Sequence, residues 1–150
     1  MSADGVIGST NSHNQHGLLW DVPADRKHFF YTTRSKAILY GRKTFEAMGK
    51  KPLPKRKNFI LSSSMKQAPQ GCEIVQNIED AVCEELVICG GAQVYRLALK
   101  KNLVKQMYIS IIPGSWQGDI KFPPVDWKRW TLSKASIEQG FILQVWDRKS

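Results

Sequence analysis

The chain has 150 residues, of which 42% are hydrophobic and 23% charged, an ordinary folded-protein balance that excludes a disordered tail or a collagen-like repeat. No run approaches the roughly 18 apolar residues of a membrane helix, and the opening Met1-Ser2-Ala3-Asp4-Gly5 does not read as a secretion signal. Twenty-two Lys and Arg against thirteen Asp and Glu leave a net charge of +9, which points to anionic partners: nucleic acid, acidic lipid, or a phosphorylated or carboxylated small molecule.

In chain order, residues 8–22 are polar and rich in Asn and Ser up to His16, and are expected to form a long surface loop. Residues 23–33 open with Pro23, Ala24 and Asp25, favourable first-turn residues of a helix. Residues 36–41 form a short buried strand ending at a glycine, and a short helix over 42–48 stops at Gly49. Residues 57–62 are a second such strand, ending in Ser62-Ser63-Ser64, and 72–75 a weaker third. Asn77 is placed to cap a helix over 78–85. Residues 86–89 form a strand ending at Gly90-Gly91, and a helix over 92–101 sets Val94, Leu97 and Ala98 on one face. A fifth strand covers 107–112. Residues 130–138 and 141–147 make an antiparallel hairpin about Gln139-Gly140. Alternating strands and helices predict one α/β domain over 1–150, a mostly parallel sheet flanked by helices with the hairpin appended to it.

Cys72, Cys83 and Cys89 are odd in number and lack a Cys-x-x-Cys spacing, and His13, His16 and His28 do not form a helical metal pair. The expectation is no metal, and reduced thiols in a cytoplasmic protein.

Two turns carry candidate chemistry. In Gly41-Arg42-Lys43-Thr44 a strand ends and a helix begins with two cations and a hydroxyl. That suits a phosphate, or a plain solvated helix start. Gly90-Gly91-Ala92-Gln93 repeats the arrangement, for close backbone approach to a ligand or for tight strand–helix packing. Two such turns in one α/β sheet suggest a pyrophosphate gripped from both sides; neither a Gly-x-Gly-x-x-Gly nor a Walker motif is present. Asp25 is either a helix-start carboxylate or a bidentate acceptor in an apolar cleft. Pro52-Leu53-Pro54-Lys55-Arg56-Lys57 is a rigid basic loop that could offer Arg56 as a carboxylate fork.

In order along the chain, Gly5-Val6-Ile7-Gly8, Gly17-Leu18-Leu19-Trp20, Val22-Pro23-Ala24-Asp25 with Phe29 and Thr33, Gly41-Arg42-Lys43-Thr44-Phe45-Glu46, Pro52-Leu53-Pro54-x-Arg56, Gly90-Gly91-Ala92-Gln93-Val94-Tyr95 and Gly118-Asp119-x-x-Phe122-Pro123 resemble the dihydrofolate reductase family. The resemblance implies that family's fold: a central mixed, mostly parallel β-sheet flanked by helices, with a C-terminal antiparallel hairpin. It also implies hydride transfer from NADPH to C6 of 7,8-dihydrofolate, with a proton from water reaching N5. Asp25 would then hold the pterin's amino edge, Trp20 and Leu18 would close a mobile loop, and Ser110 would share a water with the substrate and support Asp25. Phe29, Met48 and Leu53 would line the wall against the benzoyl ring, Arg56 would take the glutamate carboxylate, and Cys89 and Tyr95 would border the pterin and nicotinamide. The cofactor set implied is Ile7, Leu18, Gly41, Arg42, Lys43, Thr44, Leu61, Ser62, Ser63, Cys89, Gly90, Gly91, Ala92, Gln93, Val94 and Tyr95, with Arg42 favouring the 2′-phosphate of NADPH.

Four departures from the family pattern stand out. Only Met1-Ser2-Ala3 precedes the first motif, so the first strand is expected to be truncated. Leu19 replaces a customary Pro, Ser110 a usual Thr, and Arg26 stands where an apolar residue often touches substrate. Arg26 is expected to lie along the benzoyl ring with its head near the glutamate. The partners implied are dihydrofolate and NADPH, with no nucleic acid required, no membrane, and a monomeric state. The competing readings are a related pyrimidine reductase of riboflavin synthesis, which Asp25 and Arg56 argue against. The other is a folate- or nucleic-acid-binding derivative of the fold, for which no stripe of basic and aromatic residues speaks.

Overall fold

The computed structural model describes residues 1–11, 13–14 and 17–150; Ser12, Gln15 and His16, which belong to the expected loop over 8–22, lie outside the described residues. The elements in order are β1 (Val6–Gly8), α1 (Pro23–Thr33), β2 (Ala37–Gly41), α2 (Arg42–Ala47), β3 (Lys57–Leu61), β4 (Cys72–Val75), β5 (Leu86–Ile88), α3 (Ala92–Lys100), β6 (Gln106–Ile111), β7 (Ile120–Lys121), β8 (Trp130–Glu138) and β9 (Phe141–Arg148).

Strands β4-β3-β2-β5 form a wholly parallel sheet in that order. Successive side chains on a strand point to opposite faces, so the continuous apolar runs in β2 and β3 cover both faces at once. One face carries Ala37, Leu39, Phe59 and Val75 against Val94 and Ala98 of α3. The other carries Ile38, Tyr40 and Ile60 with Phe45 of α2, and beside them Met48, Leu53, Val87 and Cys89. Ile38, Leu39, Tyr40 and Ile60 are wholly buried.

Strands β6-β9-β8 form a separate antiparallel sheet. The hairpin turns at Gly140, whose φ of +88° is the left-handed conformation a non-glycine residue resists. The expected hairpin is present, but its partner is β6 and not the parallel strands. β5 and β6 are therefore both terminal strands of their sheets. Met1 and Ser2 meet the end of β6: the Ile112 N–H donates to the Met1 carbonyl at 2.8 Å, and Ser2 bridges Ile112 in parallel.

Two short strands had no signal in the hydrophobic pattern. β1 and β7 pair antiparallel, and a Cβ on Gly118 would lie 2.3 Å from the Gly8 carbonyl oxygen, so only glycine lets the two segments close. Asp119 then accepts from the Thr10 backbone N–H at 2.9 Å and its hydroxyl at 2.7 Å, pinning the start of the long loop.

The helix expected over 78–85 is a single 3-10 turn, Ile78–Asp80, with Asn77 and Asp80 forming a reciprocal cap. The turn does not propagate because only Ile78 and Ala81 are buried there. Val82 is 80% exposed and Glu84-Glu85 bring like charges, so residues 82–85 have no apolar face to dock.

Candidate active site

The two glycine turns predicted from sequence meet in space. β2 ends at Gly41 and β5 is followed by Gly90-Gly91, and the Gly41 N–H donates to the Gly90 carbonyl at 2.9 Å. The Gly90–Gly91 peptide is cis. A Cβ on Gly91 would sit 3.1 Å from the Thr44 Oγ1, and one on Gly90 would sit 3.6 Å from the same oxygen and 3.7 Å from the Tyr95 hydroxyl. Thr44, Gly90, Gly91 and Tyr95 thus form one cradle, roomy only because two positions lack side chains. It lies at the carboxyl ends of β2 and β5, where α2 and α3 begin and their first N–H groups are free.

The charged residues of this region are unevenly available. Arg42 pairs with Glu46 one turn along its own helix at 2.7 Å. Lys43 is exposed and joins no ion pair among the described residues. Ser62 is buried and its hydroxyl accepts from the Ser64 and Met65 N–H groups, so it shapes the turn after β3, whereas Ser63 is exposed. Gln93 is exposed at the start of α3. Val94 is buried in the core against Gly41, and Leu61 packs on the same face of the sheet. Ala92 opens α3. Ile7 lies half-buried in β1.

Below the cradle, Met48, Leu53 and Cys89 gather on one face of the parallel sheet. Burial pushes the Cys89 thiol up to about 12, so it stays a neutral apolar neighbour. Desolvation likewise raises the Tyr95 phenol, whose ring packs 5.3 Å from that of Phe122.

The loop after α2 is fixed by a residue the sequence reading passed over. Asn58 is buried in β3. Its side-chain oxygen accepts from the Tyr40 hydroxyl at 2.6 Å and the Leu53 N–H at 2.9 Å, and its amide donates to the carbonyls of Leu53 and Arg56 at 2.9 and 3.0 Å. A polar side chain inside an otherwise apolar strand was the signal available. Arg56 is held in turn. Its Nε donates to the Thr33 hydroxyl at 2.8 Å, an Nη donates to the Pro54 carbonyl at 2.9 Å, and its plane lies 5.0 Å over Phe30 and 5.7 Å over Phe29. The basic loop is therefore tied to the end of α1, with Phe29 partly exposed beside it.

Asp25 sits in the first turn of α1 and is partly buried. The Met1 amino group donates to the Ser110 carbonyl. Desolvation lowers that amine to about 6, and the Asp25 carboxylate opposes the shift, so Asp25, Met1 and the backbone of Ser110 share one neighbourhood. Ser110 faces Leu143 across the β6–β9 ladder. Leu143 belongs to the cluster of Trp20, Ile112, Phe141 and Val145, against which Leu18, Leu19, Val22 and Ala24 pack. Trp20 is buried edge-on to Trp116, 5.6 Å away, so the expected surface loop turns inward at its end. Asn14 staples that end: its amide donates to the Trp20 carbonyl at 2.9 Å and its oxygen accepts from the Leu18 N–H at 3.1 Å. Arg26, expected to reach the substrate's glutamate, pairs with the exposed Asp21 just before α1.

Comparison with known proteins gives a consistent result. The family described as dihydrofolate reductase matches residues 1–140. A dihydrofolate reductase of Bacillus subtilis is 36% identical over 145 residues, spanning 93% of this chain and 80% of its own length. One of Staphylococcus aureus is 35% identical over 135 residues, or 89% of this chain and 79% of its own. A type 3 enzyme of Salmonella typhimurium is 36% identical over 128 residues, or 82% and 74%. Among solved structures, dihydrofolate reductase from Enterococcus faecalis, complexed with NADP(H) and RAB-propyl, superposes with a TM-score of 0.86 at 25% identity, covering 99% of this chain and 92% of that one.

Proposed function

The chain belongs to the dihydrofolate reductase family, and we propose how its own residues divide the NADPH-dependent reduction of 7,8-dihydrofolate to 5,6,7,8-tetrahydrofolate. Bound NADPH supplies the hydride that C6 of dihydrofolate accepts. The cradle of Thr44, Gly90 and Gly91 fits that cofactor: added side chains would fill it, helix starts line it, and Lys43 stands free to meet a phosphate. Arg42 reaches a phosphate by releasing Glu46, an exposed ion pair worth only about 0–1 kcal/mol. Ser63 is the hydroxyl available beside it, because Ser62 is committed to its turn.

On the substrate side, Asp25 accepts hydrogen bonds from the amino edge of the pterin and favours the form protonated at N5. The proton itself comes from water. Ser110 stands near Asp25 on β6 and supports the same water network. Trp20 and Leu18, clamped by Asn14, exclude bulk water from the reacting ring. Phe29, Met48 and Leu53 form the apolar wall, and Cys89 and Tyr95, both held neutral, border the pterin and nicotinamide. Arg56, already oriented by Thr33 and Pro54, forks the glutamate carboxylate. Arg26 contributes to that carboxylate only when its pair with Asp21 opens. Molecules that copy the pterin's amino edge compete for Asp25, which makes the protein an antifolate target. It works as a monomer, and its three free thiols suit the cytoplasm.

The observation that carries this reading is the meeting of the two glycine turns over Thr44 at the mouth of the parallel sheet. The test is dihydrofolate-dependent oxidation of NADPH and of NADH by the purified chain. Turnover with NADPH preferred is expected. NADPH binding without any dihydrofolate-dependent oxidation would overturn the assignment.

A further inference from the structure

The roles above use few of the excess cations. Many of the others converge at the opposite end of the molecule, where β6 and β8 begin and β9 ends. A cavity of about 530 Å³ there is lined by Asn102, Lys105, Arg129, Arg148, Lys149 and Ser150. Its cationic positions are set by the backbone. The Arg148 N–H donates to the Lys105 carbonyl at 2.9 Å, and the Lys149 N–H donates to the Arg129 carbonyl at 2.8 Å, stitching three strand ends into one rim. The Arg148 guanidinium donates to the Asn102 carbonyl, which aims that side chain across the rim. No Asp or Glu lines this cavity, and none of its cations joins an ion pair among the described residues.

A second cavity of about 440 Å³ adjoins it, sharing Asn102, Arg129 and Arg148. It adds Arg96, Lys100 and one carboxylate, Asp126, over an apolar floor that includes Val104, Val125 and Trp130. Neither cavity belongs to the candidate active site. Gly91 and Ala92 stand at the start of α3 and Asn102 just past its end; nine residues of helix are about 13 Å long. Four like charges converging on one concavity repel one another unless an anion joins them, and arginine forks match phosphate oxygens.

We propose that this end of the molecule is a binding site for a linear oligophosphate, free or carried by a nucleoside, whose phosphates lie on Lys105, Arg129, Arg148 and Lys149. If the oligophosphate is part of a nucleotide, the base rests on the apolar floor beside Trp130. The site is independent of the cofactor cradle, so occupancy persists when the cradle is filled with NADPH.

The test is calorimetric titration of the NADPH-saturated full chain with tripolyphosphate, ATP, AMP and a short duplex oligonucleotide. The same titrations are made with Arg129→Gln/Lys149→Gln and with Lys105→Gln, which leave the stitching backbone bonds and Arg148 in place. Expected are one tripolyphosphate per chain, weaker AMP, and at least a tenfold loss of affinity in either variant with KM for NADPH unchanged. ATP binding tighter than tripolyphosphate assigns the floor to a base, whereas equal affinity assigns the site to free oligophosphate. Tripolyphosphate binding that survives both variants, or that is lost in Lys43→Gln instead, would overturn the proposal. So would an oligonucleotide that binds more tightly than either oligophosphate through the same residues, because the surface would then be a nucleic-acid face.

Discussion

In the parallel sheet, β2 is sealed on both faces and offers ligands the turns at its carboxyl end. In the antiparallel sheet, β9 buries Phe141, Leu143 and Val145, while β8 exposes Leu132 and Ile137 almost as freely as its polar residues. The difference follows from connectivity. Parallel neighbours need helical crossovers, and α2 and α3 cover the sheet while delivering helix starts to one edge. A hairpin needs only a turn, so among the described residues β8 is left largely uncovered beyond Trp130. Backbone and glycine therefore build the cradle over Thr44 in the first region, whereas in the second Ile112 and the side chains of β9 meet the loop carrying Trp20.

That contrast can be broken at graded cost. Asn58→Ala should do the most damage. It takes from the buried Tyr40 hydroxyl its oxygen acceptor, leaving Cys72 Sγ at 4.0 Å, and frees the Leu53–Arg56 loop, for a loss of about 3 kcal/mol in urea unfolding and a raised KM for dihydrofolate. Alkaline pH should come next. Cys89 ionises near 9.0 when unfolded and at about 12 when folded. Between those values the unfolded chain binds fewer protons, so stability falls with rising pH, by up to ~1.4 kcal/mol per unit. Urea midpoints taken below and within that window should show the fall, and Cys89→Ala should make it shallower, the remainder coming from the Cys72, Tyr40 and Tyr95 protons that burial also holds.

Gly91→Ala should act locally. The new methyl crowds the Thr44 hydroxyl, so KM for NADPH rises about tenfold, equivalent to ~1.4 kcal/mol, while the unfolding midpoint changes less. Ile137→Lys, at 88% exposure on the uncovered strand, should shift stability by no more than about 0.5 kcal/mol. A large loss there would mean that the hairpin's outer face is covered after all.

What the sequence revealed follows the same divide. Short apolar runs bounded by glycine or serine located β2, β3, β4 and β5 within a residue at each end, because local pattern and tertiary burial agree there. The meeting of Gly41 and Gly90 was anticipated from strand-end turns alone. Contacts between distant segments were not legible. β1 and β7 are two or three residues long and depend on Gly118 admitting the Gly8 carbonyl. The Asn14 and Asn58 clamps serve loops whose course no periodicity encodes. The cap at Asn77 was read correctly, yet the helix behind it failed for want of an apolar face. The pair between Arg26 and Asp21 likewise had no signal in the motif that carries Arg26.

The central claim is that Asp25 is the ionisable group serving the pterin, while the cofactor is held elsewhere by the glycine cradle. Wild type and Asp25→Asn compared side by side for NADPH affinity and dihydrofolate-dependent NADPH oxidation test it most directly. The account predicts unchanged NADPH affinity and a loss of kcat/KM on the order of 10²-fold or more. Equal turnover by the two proteins, or a variant that no longer binds NADPH, would contradict it.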